Sequence, residues 1–134
     1  MKFIKHLIVS YPVSCLYLAC IWVLCFANIP STPLDNVAFI DKWTHIVMYG
    51  GTCATIWMEY LRKHKKISKL KLFLFAWLAP IMMSGLIEIL QATCTGGRRS
   101  GDWLDFAANS TGATIGALIG TLTVWYRARQ KKAL

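Results

Sequence analysis

The amino-acid sequence predicts an all-α fold: a four-helix transmembrane bundle with its N- and C-termini in the cytoplasm. Apolar residues make up 56% of the chain, and they occur in four blocks that are nearly free of charge. Each block is close to the roughly 20 helical residues that cross a bilayer core about 30 Å thick. Four such spans leave little of the 134 residues for anything else. The chain is therefore predicted to form one domain, 1–134.

The first two predicted spans cover residues 7–26 and 43–61. The first has no charged residue and contains Pro12 near its start, where a membrane helix tolerates proline. The second has one acid, Glu59, close to its end. A basic loop follows Glu59, so we expect a local ion pair there.

The third and fourth predicted spans cover residues 72–94 and 104–126. Pro80 predicts a kink in the third span, which stays uncharged until Glu88. A short, glycine-rich loop joins these two spans. We therefore expect them to be antiparallel neighbours.

The distribution of charge predicts the orientation of the bundle. The net charge is +9, and 12 of the 15 basic residues lie at the N-terminus, between spans two and three, or in the C-terminal tail. By the positive-inside rule this side is cytoplasmic. Membrane topology and attraction to anionic lipid headgroups account for the basic residues. The sequence therefore predicts membrane lipids as partners and no nucleic acid.

Polar side chains lie at the predicted outer ends of spans two, three and four. Asp41 and His45 are four residues apart, as are Asp105 and Asn109, so each pair shares a helix face. Three helix ends in one small bundle are close together, and we expect the polar groups to line a common cleft. The candidate site residues are Asp41, Lys42, His45, Tyr49, Glu88, Gln91, Arg98, Arg99, Asp105 and Asn109.

A stripe of glycines continues the polar face of span four. Gly112, Gly116 and Gly120 form a double GxxxG pattern, which allows a neighbouring helix to approach closely. Close packing on this face would fix the rotation of span four and direct Asp102, Asp105 and Asn109 into the bundle. The neighbour could be another helix of the same chain or a second copy in a homo-oligomer.

Several of these residues have a simpler structural interpretation. Asp102 could be a helix N-cap, and Asn109 could form an interhelical hydrogen bond. Lys42 and Tyr49 could be interfacial anchors. The two loop arginines could be solvated charges, and a lone His45 on an apolar helix would usually be structural.

Carboxylates paired with a histidine are suited to general acid–base chemistry. We expect Glu88 or His45 to be the base, Asp105 to orient it and Asn109 to stabilise a developing oxyanion. Arg98 and Arg99 would bind a phosphate or carboxylate of the substrate. No cofactor is indicated by a known motif, although Asp41, His45, Glu88 and Asp105 could together hold a divalent metal.

The segments "DKWTHIVMYG" and "GLIEILQATCTGGRRSGDWLDFAANSTGATIG" resemble the VanZ-like family of small bacterial membrane proteins. The family pattern is D-K-x-x-H, then E-x-x-Q, an arginine and D-x-x-x-N-x-x-G. The matching residues are Asp41, Lys42, His45, Glu88, Gln91, Arg98 or Arg99, Asp105, Asn109 and Gly112. The family takes its name from a protein associated with resistance to teicoplanin, a lipoglycopeptide antibiotic. The resemblance implies a role in the cell envelope.

Two functional hypotheses follow for a multi-pass protein of the bacterial cytoplasmic (inner) membrane. The first is an enzyme that acts at the outer leaflet on a lipid-linked or amphiphilic envelope molecule, with a role in teicoplanin resistance. The second is a non-catalytic binding or scaffold protein that recognises a lipid headgroup, a wall precursor or an antibiotic.

Overall fold

The computed structural model describes residues 2–28, 30 and 33–133, and this part of the chain is helical with no strand. The α-helices are α1 (Lys2–Ser10), α2 (Pro12–Phe26), α3 (Ile40–Lys63), α4 (Lys69–Leu72), α5 (Ala79–Cys94) and α6 (Trp103–Ala133). A short 3₁₀ turn, Pro33–Asn36, precedes α3, and a π-helical segment, Phe73–Leu78, joins α4 to α5. The all-α prediction is confirmed.

The predicted first span is not one straight helix. The chain bends by 107° between α1 and α2. Pro12 explains the position of the bend, because it occupies the first turn of α2, where its missing N–H costs no hydrogen bond. The straight part, Pro12–Phe26, has 15 residues, which is shorter than the predicted span 7–26.

Glu59 stabilises the start of α2. Its carboxylate accepts hydrogen bonds from the backbone N–H of Val13 (3.0 Å), the backbone N–H of Ser14 (2.9 Å) and the Ser14 hydroxyl (2.5 Å). A carboxylate at this position also interacts favourably with the helix dipole. This contact replaces the ion pair that the sequence predicts for Glu59.

The π-helical segment, α4 and α5 form one continuous helix, Lys69–Cys94. By length and composition it is the one unbroken helix among the described residues that could cross a membrane. The pair α1–α2 is a second candidate when the two bent helices are taken together as one span. The helices α3 and α6 are long enough but more polar.

Interhelical contacts show that α2, α3, the Lys69–Cys94 helix and α6 alternate in direction. Glu59 near the end of α3 meets the start of α2, and Gln91 near the end of α5 donates to the carbonyl of Cys25 near the end of α2. Lys42 near the start of α3 meets Asp105 near the start of α6. The bundle therefore has an acidic end, which carries Asp41, Glu88, Asp102 and Asp105, and a basic end, which carries Arg62, Lys65, Lys69 and Arg127.

The glycine stripe of α6 packs against α3 within the same chain. A Cβ atom at Gly116 would lie 2.6 Å from the carbonyl oxygen of Gly50 and 2.8 Å from the Cβ of Cys53. Gly112 faces the carbonyl of Ile46 and Gly120 faces the indole of Trp57 just as closely. These distances leave no room for a side chain, so the glycines determine how near the two helices lie.

Replacing Gly116 by leucine should therefore separate α3 from α6. We expect a loss of about 1–3 kcal/mol or more in the free energy of unfolding, the usual cost of overpacking. The measurement is the thermal midpoint and the yield of monodisperse protein in detergent. The control is Thr111→Leu, because Thr111 is exposed on the same helix. Equal behaviour of the two variants would contradict the close packing.

Candidate functional site

Lys42 is the centre of the charged cluster at the acidic end. Its ammonium group donates to Asp102 Oδ2 at 2.8 Å, to Asp41 Oδ2 at 3.2 Å and to Asp105 Oδ1. Three carboxylates near one another repel, and the ammonium between them offsets this repulsion. The lysine predicted to bind substrate therefore also holds α3 against α6.

Asp102 has two contacts at the start of α6. Its Oδ1 accepts from the backbone N–H of Leu104 at 2.8 Å, as expected of an N-cap, while Oδ2 pairs with Lys42. The pKa of the Asp102 carboxyl is lowered, first by the hydrogen bond from Lys42 and then by that from Leu104.

His45 lies beside this cluster and is anchored through one ring nitrogen. Asn109 Nδ2 donates to the Ser84 hydroxyl at 2.7 Å, so Asn109 Oδ1 faces His45 Nδ1 at 2.9 Å. With the Asn109 amide in this orientation, its carbonyl oxygen accepts from an N–H at Nδ1. The chain of contacts joins α3, α6 and α5.

The other ring nitrogen of His45 faces the carboxylates. Nε2 is 3.5 Å from Asp41 Oδ1 and 3.7 Å from Asp105 Oδ2. Both separations exceed an ordinary N–H···O hydrogen bond. Asp41 is 65% exposed, whereas His45 and Asp105 are each 15% exposed. Nε2 is therefore the nitrogen that can exchange a proton with a molecule entering past Asp41.

Three of the four predicted metal ligands are brought together. Ligand atoms of Asp41, His45 and Asp105 lie within 4.8 Å of one another. The Lys42 ammonium, however, already bonds to the carboxylates of Asp41 and Asp105. A divalent cation would have to displace this ammonium group. The donor set therefore fits a lysine-neutralised cluster better than a metal centre.

Glu88 has a different environment from the His45 cluster. It is buried, and its Oε2 accepts from the backbone N–H of Asp102 at 3.0 Å. Gly101 lies against the carbonyl of Glu88 so closely that no Cβ would fit. Glu88 thus holds the loop that begins α6, and it lines a small cavity of about 110 Å³ with Gly85, Ala92 and Trp103.

The remaining predicted site residues form contacts within the protein. Gln91 Nε2 donates to the Cys25 carbonyl at 2.8 Å. Arg99 Nη2 donates to the Ala27 carbonyl at 3.1 Å, and Arg98 Nη1 donates to Asn28 Oδ1 at 3.1 Å. Both arginines thus bind the segment that follows α2. Tyr49 is fully buried, and its hydroxyl has no hydrogen-bond partner among the described side chains and backbone.

Sequence reasoning did not commit to Ser84, Asp102 or Gly101 as parts of the site. The spacing of Ser84 and Glu88 places them on one helix face, which was a usable signal for Ser84. Asp102 has the position of an N-cap, and this simpler interpretation concealed its ion pair. The close approach of Gly101 to α5 depends on tertiary packing and has no signal in the sequence.

A family model described as VanZ/LLP1 matches residues 14–124. The chain belongs to the VanZ/LLP1 family. The matched region contains every candidate site residue and the three α6 glycines, which agrees with the resemblance drawn from their spacing. Searches of curated proteins and of solved structures found no significant match. Family membership and the apolar Lys69–Cys94 helix together indicate a membrane protein.

Removing the Lys42 ammonium should destabilise this VanZ/LLP1 protein in a pH-dependent way. For Lys42→Met we expect a loss of about 1 kcal/mol near neutral pH, because three carboxylates lose their common partner. The pKa of the Asp102 carboxyl is lowered in the folded protein. The ionised carboxylate therefore stabilises the fold fully above the ordinary carboxyl pKa of about 3.9. This stabilisation disappears as the pH falls through the lowered pKa.

The deficit of Lys42→Met should therefore shrink in acid. Thermal midpoints of wild type, Lys42→Met and Lys42→Arg at about pH 7 and about pH 2.5 provide the measurement. Lys42→Arg is the control because it keeps the positive charge. A deficit that is the same at both pH values would show that Lys42 acts through packing alone.

Proposed function

We propose that α2, α3, the Lys69–Cys94 helix and α6 all span the bilayer. The distribution of side chains supports this proposal. Large apolar side chains cover the outside of these helices, including Leu16, Val47, Met82 and Leu118, each more than half exposed. The interior instead contains the buried polar residues Ser84, Glu88, Gln91, Thr52 and Asn109. Such an exterior suits lipid, since large exposed apolar surfaces are unusual on soluble monomers.

The orientation follows from the charges of the two ends. The positive-inside rule assigns the basic end to the cytoplasm. The acidic end, with His45 and Lys42, then faces the outer surface of the inner membrane. A substrate for this end is an envelope molecule that reaches the outer leaflet, which suits a lipid-linked or amphiphilic compound.

We propose further that the acidic end carries out general acid–base chemistry on such a molecule. The main support for this proposal is that the two ring nitrogens of His45 have different surroundings. Nδ1 is fixed by Asn109, which is itself fixed by Ser84, while Nε2 remains near two carboxylates without a close hydrogen bond. Fixing one nitrogen of a histidine leaves the other oriented for proton transfer.

The roles of the neighbouring groups follow from their positions. Asp105 faces His45 Nε2 and Lys42, so it can stabilise an imidazolium formed during proton transfer. Lys42 supplies a positive charge for a developing anion. Arg98 and Arg99 bond to the segment that follows α2, so we give them a positioning role here and not a role in substrate binding. Glu88 serves to position the start of α6.

The alternative, a non-catalytic binding protein, shares the same cleft. The two functions require different properties of His45. A binding protein needs a hydrogen bond from this residue, whereas an acid–base catalyst needs a side chain that gains and loses a proton. Glutamine places its amide near the position of Nε2, so it can still donate to a bound molecule, but it cannot take up a proton. His45→Gln is therefore the variant that distinguishes the two functions.

The test restores variants to a strain that lacks the protein and measures its sensitivity to teicoplanin, with the level of folded protein measured alongside. We expect His45→Gln and Asp105→Asn to accumulate but to lose at least tenfold of any protective effect. Glu88→Gln should retain function, because the amide oxygen can still accept from Asp102. Arg98→Gln is a control outside the cluster.

The outcomes separate the hypotheses. Full function of His45→Gln would overturn acid–base catalysis and favour the binding protein. Loss of folded protein in both His45→Gln and Asp105→Asn would favour a structural role for the network. If deletion of the gene does not change the sensitivity to teicoplanin, the strains that carry the same variants are compared for their content of lipid-linked envelope intermediates. The same content in all strains would refute the proposed function.

A further inference from the structure

The basic end contains an apolar groove that the proposed function does not use. It lies between α3, the start of the Lys69–Cys94 helix and α6, and it encloses about 480 Å³. Its walls include Trp57, Leu72, Phe73, Trp77, Ala117 and Thr121. The volume falls in the range of about 300–1,000 Å³ that is usual for ligand pockets.

A second, more polar cavity lies beside the groove. It encloses about 580 Å³ and includes Arg62, Lys65 and Arg127. Ile67 and Val124 belong to the walls of both cavities. An apolar slot thus continues into a pocket that carries three permanent positive charges, and Lys69 adds a fourth at the wall of the slot.

Aromatic side chains line much of the groove. Trp57 belongs to its α3 wall, and Trp77 donates to the Thr114 hydroxyl at 3.1 Å. The wall that carries Phe73 and Trp77 is the π-helical segment, and π-helical turns are frequent at functional sites.

We propose that this groove binds one anionic phospholipid, with an acyl chain in the apolar slot and the phosphate among Arg62, Lys65 and Arg127. Charge complementarity selects an anionic headgroup, and the apolar lining selects a molecule with a long hydrocarbon chain. The proposal rests on the membrane location proposed above but not on the chemistry of the acidic end.

The chain offers a matched pair of charge variants. Arg62→Gln/Arg127→Gln removes two charges from the pocket. Lys63→Gln/Arg129→Gln removes two charges from neighbouring positions of the same helices, where neither side chain lines either cavity. Arg129 instead stacks on Trp125, with its guanidinium carbon 3.8 Å from the ring centroid. Thr121→Trp, at an exposed position of the groove wall, fills the slot with a large ring.

The experiment measures binding of phosphatidylglycerol and phosphatidylcholine to the delipidated protein by native mass spectrometry in detergent. We expect wild type to bind one phosphatidylglycerol at least tenfold more tightly than phosphatidylcholine. Arg62→Gln/Arg127→Gln should lose this preference, and Lys63→Gln/Arg129→Gln should retain it. Thr121→Trp should weaken both lipids, and inorganic phosphate should not compete.

Several results would overturn the proposal. Equal losses in the two charge pairs would indicate general surface attraction, and competition by inorganic phosphate would indicate an anion site without a lipid. A dimer that excludes lipid would indicate that a second copy covers the groove. His45→Gln should bind phosphatidylglycerol as wild type does, because His45 lies at the opposite end of the bundle. The lipid experiment can therefore fail without affecting the test of the acidic end.

Discussion

The contact between the glycine face of α6 and α3 is the constraint on which the rest of the structure depends. Gly112 and Gly116 lie against backbone and Cβ atoms of α3, and Gly120 lies against the Trp57 indole, with no space for side chains. If α3 and α6 span the bilayer as proposed, they gain little from the hydrophobic effect, and close packing takes its place. The same contact fixes the distance and the rotation that bring Lys42 and His45 of α3 to Asp105 and Asn109 of α6.

The acidic end can hold so many polar groups because they satisfy one another. Lys42 is shared by three carboxylates, Asn109 joins His45 to Ser84, and Glu88 accepts from the N-cap of α6. An isolated charge buried between helices would be costly. His45 Nε2 has no close hydrogen bond in this network, and this makes it the reactive atom in the proposed chemistry.

The sequence allowed prediction of features that depend on helical periodicity. Residues four apart, such as Asp41 and His45 or Asp105 and Asn109, share a face in any α-helix, and the GxxxG spacing predicts a close helix contact. Which helix makes the contact was not predictable, because the spacing fits a partner in another chain equally well. The structure resolves this in favour of α3.

Features that depend on backbone direction or tertiary contacts were not predictable. The apolar block 7–26 predicts one straight span, but the chain bends at Pro12. Glu59 accepts hydrogen bonds from the first turn of α2, and this contact also depends on tertiary packing. The bonds of Arg98 and Arg99 to the segment that follows α2 depend on how the helices pack, and the sequence did not indicate them. Glu88 likewise shares a face with Ser84 but bonds to the loop backbone.

The central claim is that close packing of α3 on α6 forms the His45–Asn109 contact in the membrane. The most direct measurement is a ¹⁵N–¹³C solid-state NMR correlation between His45 Nδ1 and the Asn109 side-chain carbonyl, recorded in lipid bilayers. The account predicts a strong through-space correlation and a protonated Nδ1, since the nitrogen and oxygen are 2.9 Å apart. A bilayer sample with no such correlation would contradict it.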